Sequence, residues 1–252
     1  MINVSIIGSG NVAAHLVAAF DKSDSVSLKQ LFSRSKEVGF AIPENVEQIH
    51  DLEELAEADL YIIAVTDSTI ETISAALPFK NRLAAHTSGT MPLDAIHENN
   101  RKAVFYPLQT FSKSKAVDFR EVPVCLESQF AADYQLLERI GRAISDKVYA
   151  INSDQRKAIH VAAVFANNFT NHMYQIANEI CSENQVPFDI LKPLIAETAA
   201  KINILSPSDA QTGPAKRHDF KTVEAHLAFL SDEKRSIYKL LTESIQQHGK
   251  EL

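Results

Sequence analysis

The sequence predicts an α/β protein, with a doubly wound parallel sheet over residues 1–151 followed by an all-α domain over residues 152–252. Three observations predict it. Up to about residue 150, short continuous apolar runs alternate with helical patterns, the sequence form of strands buried on both faces of a parallel sheet. After Asn152 no strand run follows, and the pattern is helical to the end. No repeat or low-complexity stretch separates the halves, so their junction is read as packed and not tethered.

The elements follow in order. Val4-Ser5-Ile6-Ile7 is the first strand and Val12 to Phe20 the helix after it; the next strands are Leu28 to Phe32 and Leu60 to Val65. A helix over Thr69 to Ala76 leads to strands at Leu83 to Ala85, Ala103 to Tyr106, Pro123 to Leu126 and Val148 to Ile151. Ser153-Asp154 offers a helix N-cap, and one long helix is expected from there to about Glu183. Pro187, Pro193, Pro207 and Pro214 punctuate further helices, the last running from Asp232 to about Gln247. The long helix exceeds what one small domain usually needs, so part of it is expected to pack against a second subunit, making a homodimer through the helical domain.

Composition narrows the partners. A net charge of -7 repels a phosphate backbone, and no run of Lys and Arg interleaved with aromatics offsets it, which argues against nucleic acid. No apolar stretch approaches the roughly 18 to 20 residues that span a bilayer, and the N-terminus runs straight into a strand, so a cytoplasmic protein is expected. Cys125 and Cys181 have no zinc-like spacing and are read as buried thiols, with no metal site.

Gly8-Ser9-Gly10-Asn11-Val12-Ala13 is a G-x-G-x-x-A sequence between a strand and a helix. Gly8 permits the tight turn, Gly10 lets backbone approach a pyrophosphate, and small Ala13 lets helix and strand pack closely; the amides from Ser9 through Val12 open toward the anion. This is the phosphate-binding turn of a Rossmann domain. Dinucleotide choice falls to the second strand, which ends in Ser33-Arg34-Ser35 where an NAD site usually carries a carboxylate. A guanidinium flanked by hydroxyls suits a 2'-phosphate, so the cofactor expected is NADP. Val65, Thr66 and Asp67 end a further strand at the ligand edge; they read equally as a cofactor loop and as the cap of the next helix. His86-Thr87-Ser88-Gly89-Thr90 ends the next strand at the same edge. There Thr87 and Ser88 are cofactor candidates, with Ser88 and His86 also catalytic candidates.

Taken together, GSGNVA, SRS, AVTDSTI, HTSGT, YPLQTF, the pair Asn167-Asn168 and TGPAKRHDF resemble the Rossmann-like proteins with a C-terminal DUF2520 domain. That family is similar to pyrroline-5-carboxylate reductase, the F420-dependent NADP oxidoreductases and the wider 6-phosphogluconate dehydrogenase superfamily. The resemblance implies an NADP-binding domain, a helical dimerisation domain and a small-molecule substrate bound between the two; it adds Pro107 to the cofactor candidates. Two positions depart from the family pattern. Tyr106 and His218 stand where HPLQTF and GPxxRGD carry His and Gly, so an acid-base histidine is unavailable at 106 and the turn before Asp219 is less permissive.

On the long helix, Arg156, His160, Asn167 and Asn171 recur at spacings that place them on one face. In related dehydrogenases the equivalent helix carries a Lys with an Asn, and His160 with Asn167 or Asn168 is this chain's counterpart. His160 is therefore a candidate proton donor for hydride transfer, with His86 its rival. The reading that emerges is an NADP(H)-dependent oxidoreductase acting on a small carbonyl, imine or hydroxy compound. A non-catalytic NADP-binding sensor or assembly protein is the alternative, and pyrroline-5-carboxylate reductase ranks below both because HTSGT and YPLQTF look unlike that enzyme's loops.

Overall fold

A computed structural model describes residues 1–112 and 115–248. They form two compact units that divide between Asn167 and Asn168. The division lies inside the long helix and not near residue 151, because the first turns of that helix are fastened to the sheet unit by Ser153 and Arg156.

The first unit is an eight-stranded sheet in the order β3-β2-β1-β4-β5-β6-β7-β8. The strands are β1 Ile2–Ile7, β2 Val26–Phe32, β3 Glu47–Ile49, β4 Leu60–Ile63, β5 Leu83–His86, β6 Arg101–Pro107, β7 Val124–Ser128 and β8 Val148–Ala150. Side-chain alternation sorts each strand between two cores. Ile6, Ile62 and Ala85 face one core with Leu16 and Phe20 of α1 (Asn11–Asp21) and Leu137 and Ile140 of α3 (Ala131–Ile144). Ile7, Ile63 and Ala84 face the other, with Ile70 of α2 (Ile70–Ala75). Cover on both faces is why the strands read as unbroken apolar runs.

Two features depart from the expected sheet, an additional strand and one antiparallel pairing. β3 has only Ile49 buried, too little pattern to be seen as a strand, yet it pairs in parallel with the end of β2. β7 pairs antiparallel with β6. Among the described residues, the connection after Pro107 carries a short 3-10 turn at Phe119–Glu121 and no crossover helix of the kind that a parallel return requires.

Asn152, not Ser153-Asp154, caps α4 (Ser153–Ala163), in a reciprocal pair with Gln155. A π-helical stretch, Val164–Phe169, joins α4 to α5 (Thr170–Glu183), so the long helix exists but changes its winding midway. The second unit continues with α6 Lys192–Lys201, α7 Pro207–Ala210, α8 Phe220–Phe229 and α9 Asp232–His248. Asp219 caps α8 through the Thr222 amide and hydroxyl. His218 before it is held at φ 54°, in the left-handed region where the family's glycine is the unstrained choice. Among the described residues of this unit only Ala215 and Val223 are buried hydrophobics. Cys125 is buried as expected, whereas Cys181 is only partly covered. No helix among the described residues is long and apolar enough to cross a membrane.

Candidate functional site

β1 delivers Gly8 to the carboxyl edge of the sheet. Its amide donates to the Phe32 carbonyl at 2.9 Å, and its φ of 127° belongs to glycine. A Cβ there would stand 2.2 Å from the Ala64 carbonyl oxygen, so the chain can pass between the ends of β2 and β4 only without a side chain. Gly10 then caps α1 in extended conformation with no side-chain hydrogen bond. A Cβ on Gly10 would meet nothing within 4 Å, because its open side is a cavity of about 560 Å³. The turn from Gly8 to Val12 forms one wall, so unpaired first-turn amides and the positive helix end face that space.

Ser33, Arg34, Ser35, Val65, Thr66 and Thr87 also line the cavity. Thr69, Thr72 and Ile73, at the N-cap and first turn of α2, line it too and carry no motif in the sequence; their i, i+3, i+4 spacing puts them on one face. Ser33 serves differently from expectation. It is 1% exposed, donates to the Ser35 carbonyl at 2.7 Å and accepts from Gln48 at 2.8 Å. Gln48 also reaches the Ser35 and Lys36 carbonyls at 3.3 and 3.2 Å, and His50 donates from Nδ1 to the Ser33 carbonyl at 2.8 Å. The unforeseen β3 thus holds the turn that carries exposed Arg34.

Asp67, Ser88 and Pro107 lie outside the cavity lining. The Asp67 carboxylate accepts from the Thr90 hydroxyl at 2.5 Å, and the helix-capping alternative for it is not realised, since no side-chain bond caps that turn. Ser88 Oγ accepts from the amides of Thr90 and Met91 at 3.1 and 3.0 Å, which folds the loop after β5. Pro107 is buried where β6 pairs with β7.

His86 is fully buried. Its Nδ1 accepts from the Ser88 amide at 3.2 Å and its Nε2 donates to the Pro92 carbonyl at 3.1 Å. Burial, with the Arg156 charge second, lowers its pKa to about 4. With both nitrogens engaged and the ring neutral, His86 is a brace for the Thr87–Met91 loop and not a proton donor. Arg156 is likewise internal: it is 1% exposed, pairs with Glu127 and donates to the Met91 carbonyl and the Ser153 hydroxyl.

His160, half-buried one helical turn on, places Nδ1 3.2 Å from the Tyr106 hydroxyl. Gly89 makes room for the contact, since a Cβ there would lie 2.6 Å from that Nδ1 and 2.9 Å from the Tyr106 oxygen. Burial pushes the Tyr106 phenol up to about 12. Asn167 is exposed within the π stretch. Wider turns there rotate Asn167 and Asn171 out of the α-helical phase that aligned them with His160, by up to about a quarter turn.

The sequence profile of the domain of unknown function DUF2520 matches residues 122–245. A candidate NADP oxidoreductase from Bacteroides fragilis is 38% identical, with 98% of each chain covered and a TM-score of 0.87. The chain belongs to the family of Rossmann-like proteins with a DUF2520 domain. In this DUF2520 protein the profile begins before β7, so it takes in the last two strands and α3 as well as the helices. A protein from Thermotoga maritima is 19% identical over 98% of both chains, with a TM-score of 0.74. A reductive aminase from Aspergillus terreus, solved with NADPH and ethyl-5-oxohexanoate, is 12% identical over 99% of this chain and 95% of its own, with a TM-score of 0.75. These two share the fold with the DUF2520 protein. Comparison with curated proteins gives no match.

Proposed function

We propose that this chain is an NADP(H)-dependent oxidoreductase acting on a small carbonyl, imine or hydroxy compound. The observation that carries the reading is the cavity at the carboxyl edge of the sheet, walled by the Gly8–Val12 turn and by Arg34. Open space at Gly10 and the uncapped first turn of α1 fit a pyrophosphate, and the Ser33–Ser35 turn offers a guanidinium and no carboxylate to a 2'-phosphate. The 38% identical relative, described as a candidate NADP oxidoreductase, supports the same cofactor. When bound, the dinucleotide supplies or accepts a hydride. The chain's own part is to bind and orient it, to place Thr87 at the cavity edge, and to exchange the accompanying proton through His160, which the loop carrying Thr87 and Gly89 touches. Oxidation of NADPH against a panel of cyclic imines and 2-keto acids tests this. Turnover with at least one acceptor is expected; tight NADPH binding with none reduced favours a sensor instead.

We infer also that the helical unit pairs with a second copy. Phe220, Phe229, Leu240 and Ile204 are each more than half exposed in a unit with almost no core of its own. Light scattering should return the mass of two chains, and a stable monomer contradicts the inference.

A further inference from the structure

We propose that Tyr106 is a positioning residue for His160, holding the imidazole by Nδ1 so that Nε2 is the atom that exchanges the proton. This rests on the oxidoreductase reading above. Tyr106 stands on β6, in the rigid sheet, while His160 stands on α4, whose start is anchored one turn earlier by buried Arg156. Their only shared hydrogen-bonding atoms are the phenol oxygen and Nδ1, 3.2 Å apart, and the rings meet tilted at 59° with centroids 6.3 Å apart. Gly89 closes the third side. Any larger residue there would wedge into Nδ1 and the phenol together, so the pair and the loop that borders the dinucleotide cavity are built as one unit.

A phenol suits this post because its oxygen both donates and accepts. It donates to Nδ1 of a neutral imidazole and accepts from Nδ1–H of an imidazolium, so the ring keeps its aim in both states. With its pKa near 12 the phenol does not ionise itself under working conditions. The charged and titratable groups that face the pair are each held by a partner or by burial. Arg156 on α4 is matched by Glu127 of β7, the Cys125 thiol of β7 is pushed up to about 11 by burial, His86 of β5 stays neutral above about pH 4, and Asp67 is bonded to Thr90.

When the carbon of a C=N or C=O acceptor gains the hydride, its heteroatom takes the proton from Nε2 of the imidazolium. His160 is left neutral with Nδ1–H donating to the Tyr106 oxygen. A proton from solvent then returns to Nε2 and restores the imidazolium; where the ring rests neutral, its Nδ1 proton has passed to solvent and the phenol donates to Nδ1.

The test is a ¹⁵N-histidine NMR titration of the protein without added nucleotide, for the wild type and Tyr106→Phe. In the neutral wild-type ring, Nε2 should carry the proton and Nδ1 should show an accepted hydrogen bond. Tyr106→Phe should erase that signature while melting temperature and NADPH affinity stay put, and turnover with an acceptor from the imine and keto-acid panel should fall about tenfold or more. In a His160→Ala background the same change should cost nothing further. Gly89→Ala, which drives the rings apart, gives an independent second perturbation with the same expected NMR change. A neutral wild-type ring protonated at Nδ1, or His160 shifts and turnover indifferent to Tyr106→Phe, overturns the proposal. Loss of NADPH binding by the wild type overturns the oxidoreductase reading instead, so the two failures are distinguishable.

Discussion

Gly8 and Gly10 sit two residues apart, and the structure assigns them opposite kinds of dependence. In Gly8→Ala the methyl must stand 2.2 Å from the Ala64 carbonyl oxygen, on a backbone at φ 127° that side chains rarely adopt. Strained backbone alone costs about 1–3 kcal/mol, and the clash with immovable backbone adds to it, so a loss near 3 kcal/mol is a lower expectation. For a chain of this size that lowers the melting temperature by roughly 6–12 °C. Gly10→Ala meets nothing within 4 Å and keeps an ordinary extended φ of -80°. It should melt within about 1 °C of wild type, since small surface changes shift stability little. Its methyl instead occupies the space meant for the pyrophosphate. Losing two charge-assisted hydrogen bonds at about 1.5 kcal/mol or more each weakens NADPH binding by roughly 100-fold. Differential scanning fluorimetry and a fluorescence titration read the two quantities separately. A destabilised Gly10→Ala, or a Gly10→Ala that binds NADPH normally, refutes the reasoning.

Further outcomes follow from the same contacts. Gln48→Leu releases the Ser33, Ser35 and Lys36 contacts of the Arg34 turn, so NADPH affinity should fall about tenfold while NADH affinity hardly changes; equal losses for both nucleotides would dissociate Gln48 from 2'-phosphate recognition. Glu127→Ala strands the Arg156 guanidinium in the interior and should cost about 3–5 kcal/mol in urea unfolding. His86 has its pKa lowered from 6.5 to about 4 in the folded chain, so the unfolded chain takes the proton first. Its contribution is therefore complete above about pH 6.5 and declines as pH falls toward 4, by roughly 3 kcal/mol in all. His86→Gln should flatten that part of the stability profile, and an unchanged slope contradicts the assignment.

The dinucleotide turn was legible because its chemistry is local: a strand, two glycines and a helix start occur within a few consecutive residues, and the cavity lining from Gly8 to Val12 follows directly. Arg34 was legible by its offset from them. Gln48 was not, because a three-residue strand with one buried side chain leaves no periodic mark, although its amide decides the shape of the Arg34 turn. His86 and Arg156 were legible as polar residues at the sheet edge but not as internal braces, since that depends on partners at Pro92, Met91 and Glu127 that only folding supplies. Asn167 misled for another reason. The α-helical period extrapolated from His160 fails at the π stretch, which no residue in Val164–Phe169 announces.

On the proposed function, the cavity beside Gly10 and Arg34 holds NADP(H). Isothermal titration of the purified chain with NADPH and with NADH tests it most directly. One saturable site per chain is predicted, at least about tenfold tighter for NADPH, with the preference abolished in Arg34→Glu. No heat of binding from either nucleotide, or equal affinity for both, would contradict it.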